Sequence, residues 1–173
     1  MQIDILPIGG IDPDILEGIS GGLGKIFPWD VRIGKEIRLP EESYDSRRRQ
    51  YNSSVILRKL RTLKTGKSVS ILGVTDVDIY VPGLNFVFGE ADMFSGVVVI
   101  SLTRLRQEFY GRRPDKELFR ERAVKEAVHE IGHACGLDHC DNPRCIMYFS
   151  NSISDTDRKG PDFCPLCKET LGI

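Results

Sequence analysis

The sequence predicts a mixed α/β (α+β) fold: a mixed sheet flanked by helices, one long helix, and a small carboxy-terminal lobe after it. Three features of the chain carry this prediction. Up to Leu102, runs of strand and helix period follow one another as β-α-β-α-β and then further strands. From Pro114 an amphipathic run keeps helical period as far as Cys135. Beyond Asp141 periodicity fades and loop residues dominate, so that stretch needs something besides apolar burial to hold it.

The elements follow in order. Gln2 to Ile8 alternates polar and apolar residues as a first strand, closed by Pro7 and the Gly9-Gly10 pair. Asp12-Pro13 starts a helix, with a capping carboxylate and then proline at the first helical position. Ile15, Leu16, Ile19 and Leu23 form its buried face, and Gly21, Gly22 and Gly24 weaken its second half. Trp29 to Leu39 alternates loosely as a second strand. Glu41 to Arg49 is polar and contains Arg47-Arg48-Arg49, either a phosphate or nucleic-acid contact or, as is usual for basic runs, solvated surface. Ser53 or Ser54 caps a second helix with a stripe of Val55, Ile56, Leu57, Leu60 and Leu63, ended by Gly66.

Val69 to Val74 suits a buried strand. Asp76 and Asp78 after it either bind a cation or, the commoner use, form the turn. Pro82-Gly83 is a turn, Leu84 to Phe88 a strand ending at Gly89, and the β-branched Val97 to Leu102 the most strand-like run in the chain. Arg104 to Arg113 is a charged connection. In the long helix opened by Pro114-Asp115, Leu118, Val124, Ala127, Val128, Ile131 and Cys135 make an apolar stripe. Arg122, Glu126, His129 and His133 lie on the other side, facing a cleft.

The 173 residues bound the possibilities. They suffice for one domain with a substantial core, 1–173, in which 1–136 forms an amino-terminal subdomain and 137–173 the lobe. A hydrophobic content of 40% and a net charge of −1 describe an ordinary soluble protein, with no basic excess to point to nucleic acid. The amino terminus lacks the pattern of a signal peptide, and no run approaches the ~20 apolar residues that span a bilayer. Five cysteines, without support for secretion, make a disulfide framework the weaker reading and the cytoplasm the expected compartment.

The chemistry concentrates in His129-Glu-Ile-Gly-His-Ala-Cys-Gly-Leu-Asp-His139, which holds all three histidines of the chain. A helix advances about 100° per residue, so His129 and His133 lie on one face and can share a metal ion. Glu130 sits beside them, where a carboxylate can meet water bound to that metal. Gly136 falls where a helix ends in a left-handed residue, a reversal that returns His139 as a third ligand. Three protein ligands with an open fourth position describe a catalytic zinc. Cys135, about 200° round the helix from His133, points away as a small core residue.

Cys140, Cys145, Cys164 and Cys167 are candidates for a second, closed site. Cys164-Pro-Leu-Cys167 has the spacing of a zinc knuckle, and four thiolates leave no open position, which makes such a site structural. A redox pair at Cys164 and Cys167, or two disulfides, are the alternatives. Consecutive Cα atoms lie about 3.8 Å apart, so His139 and Cys140 join the two sites through one peptide unit. Met147 is placed either beneath the metal or as an isolated buried methionine.

The histidine motif followed by Cys140, Cys145, Met147 and Cys164-x-x-Cys167 resembles the archaemetzincin family, and Leu72 to Tyr80 is also similar to it. The resemblance implies a metzincin-like fold, with the active-site helix above a lobe clamped by metal, and a zinc-dependent peptidase. It implies two zinc ions per chain: a catalytic one on His129, His133 and His139 with Glu130 as general base, and a structural one on the four cysteines. It also implies hydrolysis through a zinc-bound water, possible aminopeptidase-like action, and an edge strand, Leu84 to Glu90, holding substrate through its backbone. Many metzincins carry a tyrosine two residues after the methionine, whereas Tyr148 is the immediate neighbour of Met147, so that role is not carried over. The expected partner is a peptide or protein substrate, with no nucleic acid, no membrane and a monomeric state. Two other readings stay open. One is a non-catalytic zinc-stabilised peptide- or protein-binding module. The other is a metal-dependent endoribonuclease, against which Glu130 and the cysteines argue.

Overall fold

The computed structural model describes residues 2–66 and 68–173. In chain order the strands are β1 (Gln2–Ile8), β2 (Asp30–Ile33), β3 (Tyr44–Asp45), β4 (Gln50–Asn52), β5 (Ser68–Thr75), β6 (Ile79–Tyr80), β7 (Gly89–Asp92) and β8 (Val97–Ser101). The helices are α1 (Pro13–Ile26), α2 (Ser53–Arg61), α3 (Lys116–Ala134), α4 (Ile153–Arg158) and α5 (Pro165–Leu171). The main sheet runs β2-β1-β5-β8-β7, parallel throughout except for β7, which pairs antiparallel with β8 at one edge. A smaller sheet, β3-β4-β6, stands beside it. This is the mixed sheet flanked by helices that the sequence predicts.

Helices α1 and α3 cover one face of the main sheet, where Ile3, Ile5, Leu72, Val74, Val98 and Ile100 enter the larger core. Helix α2 covers the other through Ile56, Leu57 and Leu60 against Ile71, Val97 and Val99. Strand β8 is therefore buried on both faces, which is why its sequence is continuously apolar and not alternating. Each fully buried Ile or Val stabilises by roughly 1.5–3 kcal/mol, so β5 and β8 anchor the fold. No helix among the described residues is long and apolar enough to cross a membrane.

Several boundaries differ from expectation, each for a tertiary reason. The second strand keeps only Asp30–Ile33, and Ile37 rejoins β1 as an isolated bridge to Ile8. Asn52, not Ser53 or Ser54, caps α2, which ends at Arg61 well before Gly66, leaving Leu63 exposed. The strand expected over Leu84–Phe88 lies instead at Gly89–Asp92, where pairing with β8 outweighs local propensity. Helix α1 continues through its glycines to Ile26. Gly22 serves close packing there, since a Cβ would fall 2.4 Å from Val124 Cγ1 on α3.

Helix α3 is buried more widely than its stripe implies. Phe119 and Ala123 join the core, while Leu118 and Val124 are only half-buried. Its polar side is covered by the segment after Gly136, which includes α4 and α5. Arg122 does not face the cleft. It is buried in a two-pronged ion pair with Asp157, at 2.6 and 2.7 Å, and donates to Leu105 O at 2.9 Å.

Candidate active site

Asp115 caps α3 by accepting from Leu118 N at 3.0 Å, and the helix carries His129 and His133 to its last turn. Gly136, at φ +92°, then reverses the chain. Leu137 N donates to Gly132 O at 3.0 Å and Gly136 N to His133 O at 2.9 Å, the paired bonds of a Schellman closure. The reversal brings His139 back toward the helix. Its Nε2 lies 3.2 Å from that of His133, which is 3.1 Å from that of His129.

On His129 and His133 the other ring nitrogen is already engaged. His129 Nδ1 donates to Ile146 O at 2.8 Å and His133 Nδ1 to Leu137 O at 2.7 Å. With the protons on Nδ1, the Nε2 lone pairs of both rings converge. Nitrogens around a tetrahedral zinc at 2.0–2.1 Å are about 3.3 Å apart, so the set fits that ion. Burial holds all three imidazoles below the usual histidine range, His129 furthest, and so in the neutral form that binds metal.

These rings line a cleft of about 460 Å³ between α3, strand β7 with its preceding segment, and the loop at Phe149–Asn151. Glu130 faces the same space. Burial, and next the adjacent Glu126 carboxyl, push Glu130 well above the usual carboxylate range. Gly89 on β7 has no Cβ where one would lie 2.6 Å from Glu130 Cγ and 2.7 Å from Oε1. Fully buried Met147 packs against Gly132 of α3, where a Cβ would meet its Sδ at 2.5 Å. Tyr148 is not among the residues lining the cleft. Phe149 is, its ring centroid 4.7 Å from that of His139.

The four cysteines also meet. Sγ atoms of Cys140 and Cys164 are 3.8 Å apart, those of Cys145 and Cys167 3.7 Å, and all four lie within 4.8 Å of one another. Thiolates around a tetrahedral zinc at about 2.3 Å are separated by about 3.8 Å, so this set fits a closed site. All five cysteines are free thiols. Cys164 is held down at about 7, chiefly by the Cys167 backbone N–H beside it, while burial raises Cys140 and Cys167. Cys135 stands apart, half-buried against the core with its thiol pushed up to about 11 by burial. The two sets are tied by Cys140 N donating to Met147 O at 3.0 Å.

The profile of Peptidase family M54 matches residues 26–172. An archaemetzincin of Methanocaldococcus jannaschii is 46% identical, over 99% of this chain and 93% of its own. The chain belongs to the archaemetzincin family. This is a family of zinc-dependent metallopeptidases, hydrolases of peptide bonds. An archaemetzincin of Archaeoglobus fulgidus is 45% identical over 99% of each chain. Among solved structures, a zinc-dependent peptidase from Methanocorpusculum labreanum superposes with a TM-score of 0.90 at 33% identity, covering 98% of this chain and 99% of that one. The similarity therefore takes in the amino-terminal quarter, where the motifs alone are least diagnostic.

In this archaemetzincin fold some site residues were not legible in advance. Lys159 is buried at the cleft floor, its Nζ 3.4 Å from His129 Nδ1. That nitrogen's proton already goes to Ile146 O, so the contact is a close approach of charge and not a hydrogen bond. Burial lowers the Lys159 ammonium, against the pull of Glu126 and Glu130. Glu126 is also buried, with Oε2 lacking a hydrogen-bond partner. It does line the cleft, as its side of the long helix predicts. Lys159 had no signal in the sequence, because only the fold brings it to His129. Asp76 and Asp78 pair with Arg106 and Arg104, each at 2.6 Å, so these carboxylates are engaged by guanidinium.

Proposed function

We propose that this protein hydrolyses peptide bonds, with His129, His133 and His139 holding a catalytic zinc and Cys140, Cys145, Cys164 and Cys167 a structural one. The observation that carries the reading is the convergence of three Nε2 atoms, 3.1 and 3.2 Å apart in sequence along the set, beside Glu130 in one cleft. Bound there, zinc supplies a Lewis acid for the scissile carbonyl and brings the pKa of water down to around 7. Glu130 is the general base: it takes a proton from the attacking water and passes it to the leaving amine. Its place in the cleft beside the histidines is what fits it to that exchange. Ile146 O and Leu137 O orient the first two rings through Nδ1.

Strand β7 is the substrate-holding edge. Phe88 O accepts from Ser101 N at 2.8 Å at the start of the pairing, so by antiparallel alternation Glu90 and Asp92 turn toward β8. The backbone groups of Gly89 and Ala91 then face outward, where an extended peptide can add as a further strand. Glu90 in the cleft wall would attract a free α-ammonium, which supports an aminopeptidase-like mode. Residues 1–136 and 137–173 make the two walls of one catalytic domain, acting as a monomer in a reducing cytoplasm that keeps the four thiols available to metal.

A mixed peptide library incubated with zinc-loaded protein tests the reading. Parent protein should cleave it, and loss of single amino-terminal residues would mark exopeptidase action. Glu130→Ala should keep its zinc and lose ~10²–10⁴-fold in turnover. Equal turnover in the variant removes Glu130 from the mechanism. A parent that binds peptides without cleaving them would favour the non-catalytic module.

A further inference from the structure

We infer that Arg48, with Gln50 and the Asp78–Arg104 pair, is a positioning device for the upper wall of the peptide cleft and so governs how extended substrates are held. The inference rests on the peptidase reading of that cleft. The wall is the segment Leu84–Phe88, which lines the cleft without forming a strand. Its own backbone amides make few bonds among the described residues: Leu84 N donates to Val81 O and Val87 N to Ile79 O, both at 3.1 Å.

Side chains from roughly 35 positions earlier in the chain bond its carbonyls instead. Arg48 Nη2 donates to Leu84 O at 2.7 Å and Asn85 O at 3.0 Å, and Gln50 Nε2 donates to Asn85 O at 2.9 Å. Two consecutive wall carbonyls are thus gripped from behind by residues that do not line the cleft. The grip is itself held. Arg48 Nε donates to Gln50 Oε1 at 3.0 Å, and its guanidinium lies 4.1 Å from the Tyr80 ring centroid. Gln50 Nε2 also reaches Asp78 Oδ2 at 2.9 Å, and Asp78 accepts from Arg104 Nε and Nη2 at 2.6 and 2.8 Å. Arg104 returns to the same wall, its guanidinium 4.1 Å from the centroid of Phe86. The circuit closes on the segment where it began.

Two further observations favour a local task over a general contribution to stability. Arg48 is exposed, and exposed charged contacts add little to global stability. Arg49, at φ 54°, is the only non-glycine residue in the left-handed region among the described residues. Side chains other than Gly, Asn and Asp rarely adopt that conformation, and here it lies between the two residues that reach the wall. The forked guanidinium matters because one planar group serves both carbonyls and Gln50. A lysine ammonium lacks that fork.

The test uses the full-length, zinc-loaded protein and its Arg48→Met and Arg48→Lys variants. Amide exchange over 81–88 should be faster in Arg48→Met than in the parent, with or without zinc, while exchange in α3 is unchanged. For an extended peptide KM should rise roughly 3–10-fold at near-constant kcat, with Arg48→Lys intermediate. A two-residue substrate too short to reach the wall should be cleaved as before. Exchange and KM equal to the parent's overturn the inference, and so does a matched loss of kcat on every substrate with a lowered melting point, which marks a general structural role. If the parent cleaves no peptide, the peptidase reading falls and takes the substrate role with it. Amide exchange then still decides whether Arg48 holds the wall.

Discussion

Gly89 and Glu130 show how one missing side chain makes room for another. The position on β7 is occupied in space by the Glu130 carboxylate, 2.6–2.7 Å from where a Cβ would be. Real Cβ atoms do not approach that closely, so Gly89→Ala should displace the carboxylate while leaving the strand intact, because Gly89 does not need a positive φ. A shift of about 1 Å at a reacting group costs on the order of 10²-fold, so kcat should fall roughly 10–100-fold with zinc content unchanged. Stopped assays of kcat alongside metal analysis check this. A variant with parental kcat would mean that the carboxylate relaxes without leaving its working position.

At the scale of elements, the end of α3 is the decisive turn. The Schellman bonds through Gly136 and Leu137 set the distance between His133 and His139, and Leu137 O also orients His133. Gly136→Val places a β-branched residue at φ +92°, a strain of about 1–3 kcal/mol. No atom lies within 4 Å of a Cβ built there, so the cost is conformational and not a clash. Affinity for the three-histidine zinc should therefore fall while the fold and the cysteine-bound zinc persist, as competition with a metallochromic chelator would report. Parental affinity in the variant would show that the turn does not control His139.

At the scale of the whole molecule, the carboxy-terminal segment does two tasks at once. It covers the polar side of α3 through Asp157 on Arg122 and through Lys159, and it presents Ile146 O to His129. Phe163, Ile153, Ile146 and Met147 bring some apolar burial, but the four thiols draw its two ends together. Zinc held by such a site contributes on the order of 10–16 kcal/mol, and that binding energy is folding energy for the segment it clamps. Cys164→Ser should lower the melting point and open the segment after Asp141 to protease. His139→Ala should leave stability near parental and weaken one zinc only. Metal analysis should find two zinc ions per chain in the parent and nearer one in His139→Ala. One zinc in the parent, with the cysteines recovered as disulfides, would reject the structural-zinc proposal.

What the sequence by itself determined is what local geometry controls. The spacing of His129 and His133 is one helical turn, the turn at Gly136 follows from a single residue's freedom at positive φ, Asp12 caps α1 as expected, and α3 opens directly after Pro114-Asp115. Strands β1, β5 and β8 were legible because burial on one face leaves an alternation in the chain and burial on both leaves a continuous apolar run. Tertiary structure alone decided the rest. The edge strand Gly89–Asp92 is short and polar, so nothing local marks it, and pairing with β8 places it directly after the run that propensity favours. Lys159 meets His129 across 30 positions, and Arg48 meets Leu84 across 36. Such contacts join segments whose separation exceeds any local period, so they leave no repeat in the sequence and arise only when the chain is packed.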